Sequence, residues 1–269
     1  QWPFLPTTVR GMWRRLISLS AVVLAGVVTP LAAQAAQPTR FDWTGVVGDM
    51  QPKSSTVTVY VGSVAETILW TPGTQISGGT LAMLTPGTIV EIPGQFTSSA
   101  NVATSIRILR AVPSSAKAKA TSISGAIVRS ASGGAWITVV TASGRMDATT
   151  QSPAGVVPTL AVGQVVSLKG MQIGSSLSVS DASILTVPTP QRLKAKPLGS
   201  KSTVTAVVVA GQKDLWEMWT ATGFVSVTLD PTVNITPTTL VAGVKVNVTG
   251  IATGSQLWAT SVATASSDS

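Results

Sequence analysis

One short phrase is written three times along the chain, and it constrains the fold more than any other feature. Leu84-Thr85-Pro86-Gly87-Thr88-Ile89-Val90-Glu91-Ile92-Pro93-Gly94 is the first copy and Leu160-Ala161-Val162-Gly163-Gln164-Val165-Val166-Ser167-Leu168-Lys169-Gly170 the second. The third is Leu240-Val241-Ala242-Gly243-Val244-Lys245-Val246-Asn247-Val248-Thr249-Gly250. All read Leu-x-x-Gly-x-x-Val-x-(Ile/Leu/Val)-x-Gly, with the leading leucines 76 and then 80 residues apart. Solenoid coils recur every ~20–50 residues, so a period this long makes each copy part of a small domain. The first glycine suits a turn that needs positive φ. The aliphatics that follow alternate with polar residues, the mark of a half-buried strand, and the closing glycine permits a sharp bend.

The stretches around the phrase repeat as well. In the first repeat, strands are expected at Phe41–Val47, Thr56–Val61, Ala65–Trp70, through the phrase, and over Val102–Leu109, with a short helical turn near Leu81–Leu84. Five strands in about 70 residues, with an insertion before the fourth, is the plan of a small closed barrel such as the oligonucleotide/oligosaccharide-binding (OB) fold. The expected architecture is therefore all-β: three tandem five-stranded OB-like barrels at 41–111, 121–187 and 202–265. Val112–Ala120 reads as a Ser/Ala/Lys linker, and Pro188–Lys201 as a stiffer one carrying Pro188, Pro190 and Pro197.

The opening Gly-x-(Val/Ile), the phrase itself and the closing Ala103-Thr104-Ser105-Ile106, Asp181-Ala182-Ser183-Ile184 and Ala259-Thr260-Ser261-Val262 carry a resemblance. Together they resemble an uncharacterised OB-like repeat of exported bacterial proteins, catalogued as a domain of unknown function. That resemblance covers roughly residues 41–265 and implies the barrel fold, but no activity, because the family has none assigned. The third copy departs from the pattern with Ala206 where the others have Gly45 and Gly125.

Export is read from residues 12–35. Met12-Trp13-Arg14-Arg15 forms a basic start, Leu16–Val28 an apolar stretch, and Ala33-Gln34-Ala35 a cleavage site. The apolar stretch has 13 residues, against the roughly 20 a spanning helix needs. A membrane tether is expected only if this segment stays uncleaved. Residues 1–11 read as an upstream extension. There is no cysteine, hence no disulfide framework or lipidated thiol, which suits a bacterial envelope protein, periplasmic or extracellular.

Chemistry is scarce. Without histidine or cysteine, histidine acid/base catalysis, thiol nucleophiles and ordinary zinc sites are missing. The acidic residues show no clustered spacing apart from Asp214 and Glu217, and no phosphate loop or calcium loop is present. No enzyme, cofactor or metal is expected. Binding is the better reading. Trp216 and Trp219 lie three residues apart in a strand, on opposite faces, so one should face outward as a candidate ligand contact.

The formal net charge is +8. Beyond Ala35 there are 15 basic against 10 acidic residues, since Arg10, Arg14 and Arg15 precede it. Arg107, Arg110, Lys117, Lys119, Arg192, Lys194, Lys196 and Lys201 crowd the two linkers. They are candidate contacts for an anionic partner, such as an envelope polymer or glycan. Intracellular nucleic acid is not expected, because the charges sit in the linkers and the aromatics in the domains. The leading reading is an exported non-enzymatic binding or scaffold protein. The alternatives are a self-associating structural subunit and an anionic-glycan or nucleic-acid binder.

Overall fold

The computed structural model describes residues 39–131, 134–151, 158–233 and 240–265. The expected extension and signal segment, residues 1–35, lie outside the described residues. The first barrel comprises β1 (Arg40–Gln51), β2 (Thr56–Val61), β3 (Val64–Leu69), β4 (Gln75–Ser77), β5 (Ile89–Phe96), β6 (Asn101–Ala103) and β7 (Ser105–Arg110). Its ring runs β1-β2-β3-β6-β5 and returns to β1, while β7 continues β6 past Thr104 and β4 lies parallel on β7. A single turn of 3-10 helix at Leu81–Met83 precedes β5.

The second barrel is β8 (Lys119–Ser130), β9 (Trp136–Thr141), β10 (Gly144–Thr149), β11 (Val165–Ile173) and β12 (Ser176–Ile184). The third is β13 (Ser202–Gln212), β14 (Leu215–Thr220), β15 (Gly223–Leu229), β16 (Lys245–Thr253) and β17 (Gln256–Thr264). Both are closed rings of five. The chain is thus a row of three OB-like barrels. β8 begins at Lys119, two residues inside the stretch expected to be linker.

The repeated phrase is what closes each ring. Its first half is a four-residue turn, with Thr88, Gln164 and Val244 donating N–H to the carbonyls of Thr85, Ala161 and Val241. The glycine in the third position has φ of +90°, +91° and +88° in the three copies, the conformation that a type II turn demands there. Gly87, Gly163 and Gly243 then donate N–H to Val47, Ile127 and Val208 at 2.9, 2.8 and 2.8 Å. Those three residues return the bond to the carbonyls of Thr88, Gln164 and Val244. A turn and an opening strand are stitched together by the same pair of bonds in every barrel.

At the end of the phrase the partner strand carries one extra residue. Thr104, Ser180 and Thr260 occupy this bulge, and their hydroxyls donate to the carbonyls of Pro93, Lys169 and Thr249 at 2.9, 3.2 and 3.2 Å. Such a bulge bends the strand at the barrel corner. The closing glycine is required beside it, since a Cβ on Gly170 would overlap the Ser178 carbonyl.

The Ala206 departure has a packing explanation. A Cβ on Gly45 or Gly125 would come within 2.4 Å of the Tyr60 or Val140 carbonyl oxygen, and within 2.5 or 2.6 Å of Val59 Cγ1 or Val139 Cγ1. In the third barrel the cross-strand position of these valines holds Met218, whose unbranched stem removes the side-chain part of that clash; both are core residues. The opening strand keeps its bulge in all three barrels, at Val47/Asp49, Ile127/Arg129 and Val208/Ala210.

Each barrel has its own aliphatic core, built around Val59, Ile68 and Ile92, then Ile137, Val139 and Leu168, then Val208, Met218 and Val248. Two further apolar layers join the barrels. Val46 and Ile89 of the first pack with Trp136 and Ile173 of the second, beside Tyr60. Ala126 and Val165 of the second pack with Val207 and Val209 of the third. Val46, Ala126 and Val207 are equivalent positions, so the same outward face of the opening strand supplies a joint each time. Ser178 Oγ donates to the Tyr60 carbonyl at 2.6 Å and Thr44 N–H to Gln151 Oε1 at 2.7 Å, pinning the first joint with polar contacts.

Candidate anion-binding cleft

The joint between the first two barrels is organised by a buried carboxylate. Thr138 and Asp147 face each other across the β9–β10 hairpin, on the side turned away from the barrel core. Thr138 Oγ1 donates to Asp147 Oδ1 at 2.6 Å, and Asp147 also pairs with Arg110 at the end of β7. The Asp147 side chain is 4% exposed. A charge so placed is tolerable only with a partner, and Arg110 reaches across from the first barrel to supply it.

Arg110 also lies over the Trp136 ring at 5.4 Å from its centroid, and Arg129 of β8 lies over it at 5.5 Å. These two guanidiniums, with Arg145 of β10 and Lys245 at the start of β16, line a cleft of about 580 Å³. All three barrels contribute a cation to it: Arg110 the first, Arg129 and Arg145 the second, Lys245 the third. Among the described residues no acid lines it; Arg110 is paired with the Asp147 carboxylate, and Arg145 and Lys245 also have interaction partners of their own. Its volume is within the ~300–1,000 Å³ usual for a small-molecule site. Guanidiniums offer carboxylate or phosphate a flat fork of donors.

Of the basic residues singled out in the sequence, the structure brings only Arg110 to this cleft. Arg107 pairs with Glu91 at 3.1 Å, and Lys117 and Lys119 are exposed around the start of β8. Arg192 makes two 2.6 Å bonds to the Asp214 carboxylate, which holds the Asp214 carboxyl below its ordinary range. Lys194, Lys196 and Lys201 are exposed along the second linker. Arg129, Arg145 and Lys245 had no signal in the sequence, because each stands alone in a strand and they meet only when the barrels dock.

That second linker is strapped to the third barrel. Gln191 N–H donates to Ser226 Oγ and Leu193 N–H to Thr228 Oγ1, both at 3.0 Å, along the outward face of β15. Ser226 in turn donates to Glu217 Oε2 at 2.7 Å. Glu217 and Ser226 repeat the Thr138–Asp147 pair with acid and hydroxyl exchanged between strands. Burial pushes the Glu217 carboxyl up, outweighing the Ser226 hydroxyl that pulls it down.

The two candidate tryptophans do take opposite faces of β14. Trp216 packs on the third core and donates its Nε1–H to the Lys213 carbonyl at 2.9 Å. Trp219 faces outward, edge-on to Phe224 with ring centroids 5.0 Å apart. The second barrel, through Ala126 and Val165, covers that side. Trp258 donates to Asp230 Oδ2 at 3.0 Å. Asp230 is held at about 2, first by the Thr232 hydroxyl and also by the Trp258 indole. Among the described residues, no three acidic, histidine or cysteine side chains converge as a metal site would require.

Residues 44–107, within the first barrel, match the model of a family described as a domain of unknown function (DUF5666). No curated protein matches the chain. Among solved structures it is similar to the Ag(I) form of CusF from Escherichia coli, with 19% identity over 28% of this chain and 98% of that one (TM-score 0.24). Apo-CusF from Escherichia coli gives 18% identity over 29% and 98% of the two chains (TM-score 0.25). Unr CSD456 from drosophila gives 14% identity over 84% and 98% (TM-score 0.23).

Proposed function

We propose that this chain is a non-catalytic binding module of the bacterial cell envelope, exported through its signal-like segment, that holds an anionic ligand in the cleft between its barrels. The observation that carries the reading is the convergence of Arg110, Arg129, Arg145 and Lys245 from three separate barrels on one cavity. Residues 12–35 support export. The lack of histidine and cysteine in the whole chain supports a binding rather than a catalytic role. Closing each sheet on itself also removes the long free edges that strand-to-strand assembly would use, which speaks for a binder over a self-assembling subunit.

The test is calorimetric titration of the purified chain with glucuronate and with inorganic phosphate, at low and high ionic strength. Binding is expected to weaken as salt screens the cleft. In an Arg129→Ala/Lys245→Ala variant that retains the wild-type melting temperature it should fall by about tenfold or more, the equivalent of ~1.4 kcal/mol. Affinity that ignores both salt and these substitutions would place the ligand elsewhere.

A further inference from the structure

The three turns that open the repeated phrase differ in what they show to solvent. Thr85-Pro86 of the first is half-buried, with the Pro86 carbonyl accepting the Ser114 N–H of the first linker at 2.9 Å. Ala161-Val162 of the second and Val241-Ala242 of the third are exposed, Val162 by 43% and Val241 by 54%. The covered turn holds the threonine and the two uncovered turns are wholly apolar, the reverse of what solvation favours at a turn.

The two apolar turns also meet. A Cβ on Gly163 would fall 2.6 Å from Ala242 Cβ, and one on Gly243 would overlap Val162 Cγ1. Residues of two barrels thus make one exposed apolar patch, and Gly243 belongs both to it and to the wall of the basic cleft. Cations flank the patch at matched places. Lys245 follows Gly243 by two residues, and Arg129 follows by two the residue, Ile127, whose carbonyl accepts the Gly163 N–H at 2.8 Å. Both line the cleft. Arg129 is exposed and lies over the Trp136 ring. The Arg110 contact with Asp147 engages Nε, one of the five donors a guanidinium carries, so an ion-paired arginine can still donate to a phosphate oxygen.

An apolar patch beside donors for an anion fits a bilayer surface, where a layer of phosphates overlies hydrocarbon. A soluble anion, a glycan or a nucleic-acid backbone would use the cleft and leave both valines in water. We infer that the anion held at the cleft is the headgroup phosphate of an anionic membrane lipid, with the Ala161-Val162 and Val241-Ala242 turns set into the bilayer interface beside it. This inference rests on the anion-binding reading above and adds the source of the anion and a second contact surface.

The chain has no cysteine, so Val162→Cys or Val241→Cys gives a single site for an environment-sensitive bimane label. Ser99→Cys, in the exposed turn between β5 and β6, is the control. Each labelled protein is mixed with vesicles of phosphatidylcholine, alone or with equimolar phosphatidylglycerol. Unlabelled wild type, Val162→Ser/Val241→Ser and Arg129→Ala/Lys245→Ala are titrated with the same vesicles and with inorganic phosphate. Wild type is expected to bind the phosphatidylglycerol vesicles about tenfold tighter than phosphatidylcholine alone. The labels at 162 and 241 should shift to the blue and the label at 99 should not. The serine variant should melt as wild type does, bind vesicles about threefold or more weakly, and keep its phosphate affinity. Vesicle binding that leaves the labels at 162 and 241 in water, or that shifts all three labels alike, would overturn the inference. Equal affinity for the two kinds of vesicle would overturn the contact with lipid phosphate. If no vesicle binds yet phosphate still depends on Arg129 and Lys245, this inference falls and the anion-binding reading stands. Phosphate and vesicle binding both indifferent to those two residues would sink both.

Discussion

Single residues in this chain are read twice, once inside a barrel and once between barrels. Met218 shows the first role: it replaces a valine of the other two barrels and thereby removes the branched methyl that would meet Ala206. A Met218→Val substitution should set a branched methyl against Ala206 while shortening a fully buried side chain, and cost about 1–3 kcal/mol. Ala206→Gly in the same chain should restore part of the loss, because it recreates the close approach of Gly45 to the Val59 side chain. Urea denaturation of both variants decides the matter, and equal midpoints for the single and the double variant would contradict this packing account. The sequence showed Ala206 as a departure, but its compensation lies on the neighbouring strand. A residue's cross-strand partner is invisible until the register is known.

At the scale of elements, the β9–β10 and β14–β15 hairpins carry the same outward acid–hydroxyl pair but neutralise it differently. Asp147 receives a guanidinium from the first barrel; among the described residues Glu217 receives the Ser226 hydroxyl beneath the second linker and no cation. With its carboxyl raised by burial, Glu217 favours the protonated form in the fold. Its favourable contribution is complete below the ordinary value of 4.5 and is lost as pH rises from there through the raised value. Melting temperature should accordingly fall across that window in the wild type, and fall less in a Glu217→Gln variant. Parallel pH profiles of the two would exclude Glu217 as the cause.

The elements themselves were legible from the sequence. Alternation in Val57-Thr58-Val59-Tyr60-Val61 and glycine at positions 87, 163 and 243 have one physical meaning each, set within a few residues. The same local logic put Trp216 and Trp219 on opposite faces, as found. What it could not supply was the second barrel that lies over Trp219. The cleft was hidden for the same reason: Arg110 stood out among the linker cations, while Arg129, Arg145 and Lys245 acquire meaning only from neighbours more than a hundred residues away in some cases.

The whole molecule is held by the two apolar layers, which make the three barrels interdependent. Each fully buried aliphatic in them contributes on the order of 1.5–3 kcal/mol. Ending the chain at Ser200 would strip Val207 and Val209 from Ala126 and Val165 and leave that face open to water. The shortened chain should melt several degrees lower, since ~1 kcal/mol shifts a domain of 150–250 residues by about 2–4 °C, and it should associate at high concentration. Calorimetry and small-angle scattering over a concentration series measure the two effects. An unchanged melting temperature and a strictly monomeric product would mean that the layer contributes little. The intact chain, with that face covered, should scatter as a monomer throughout.

The turn glycines carry one more consequence. A Cβ on Gly163 would come within 2.6 Å of Ala242 Cβ, and one on Gly243 would overlap Val162 Cγ1, so these two turns touch each other. The equivalent Gly87 instead abuts the Val112 carbonyl and the Ser114 side chain of the first linker. Copies that began as one sequence have each become fitted to a different neighbour. Recombination between the repeats, an ordinary hazard for a gene that says the same thing three times, would excise a whole barrel while leaving each remaining sheet able to close on itself. It would nevertheless leave a turn shaped for a neighbour that is no longer there, so the joints, and not the barrels, are what fix the number and order of the copies.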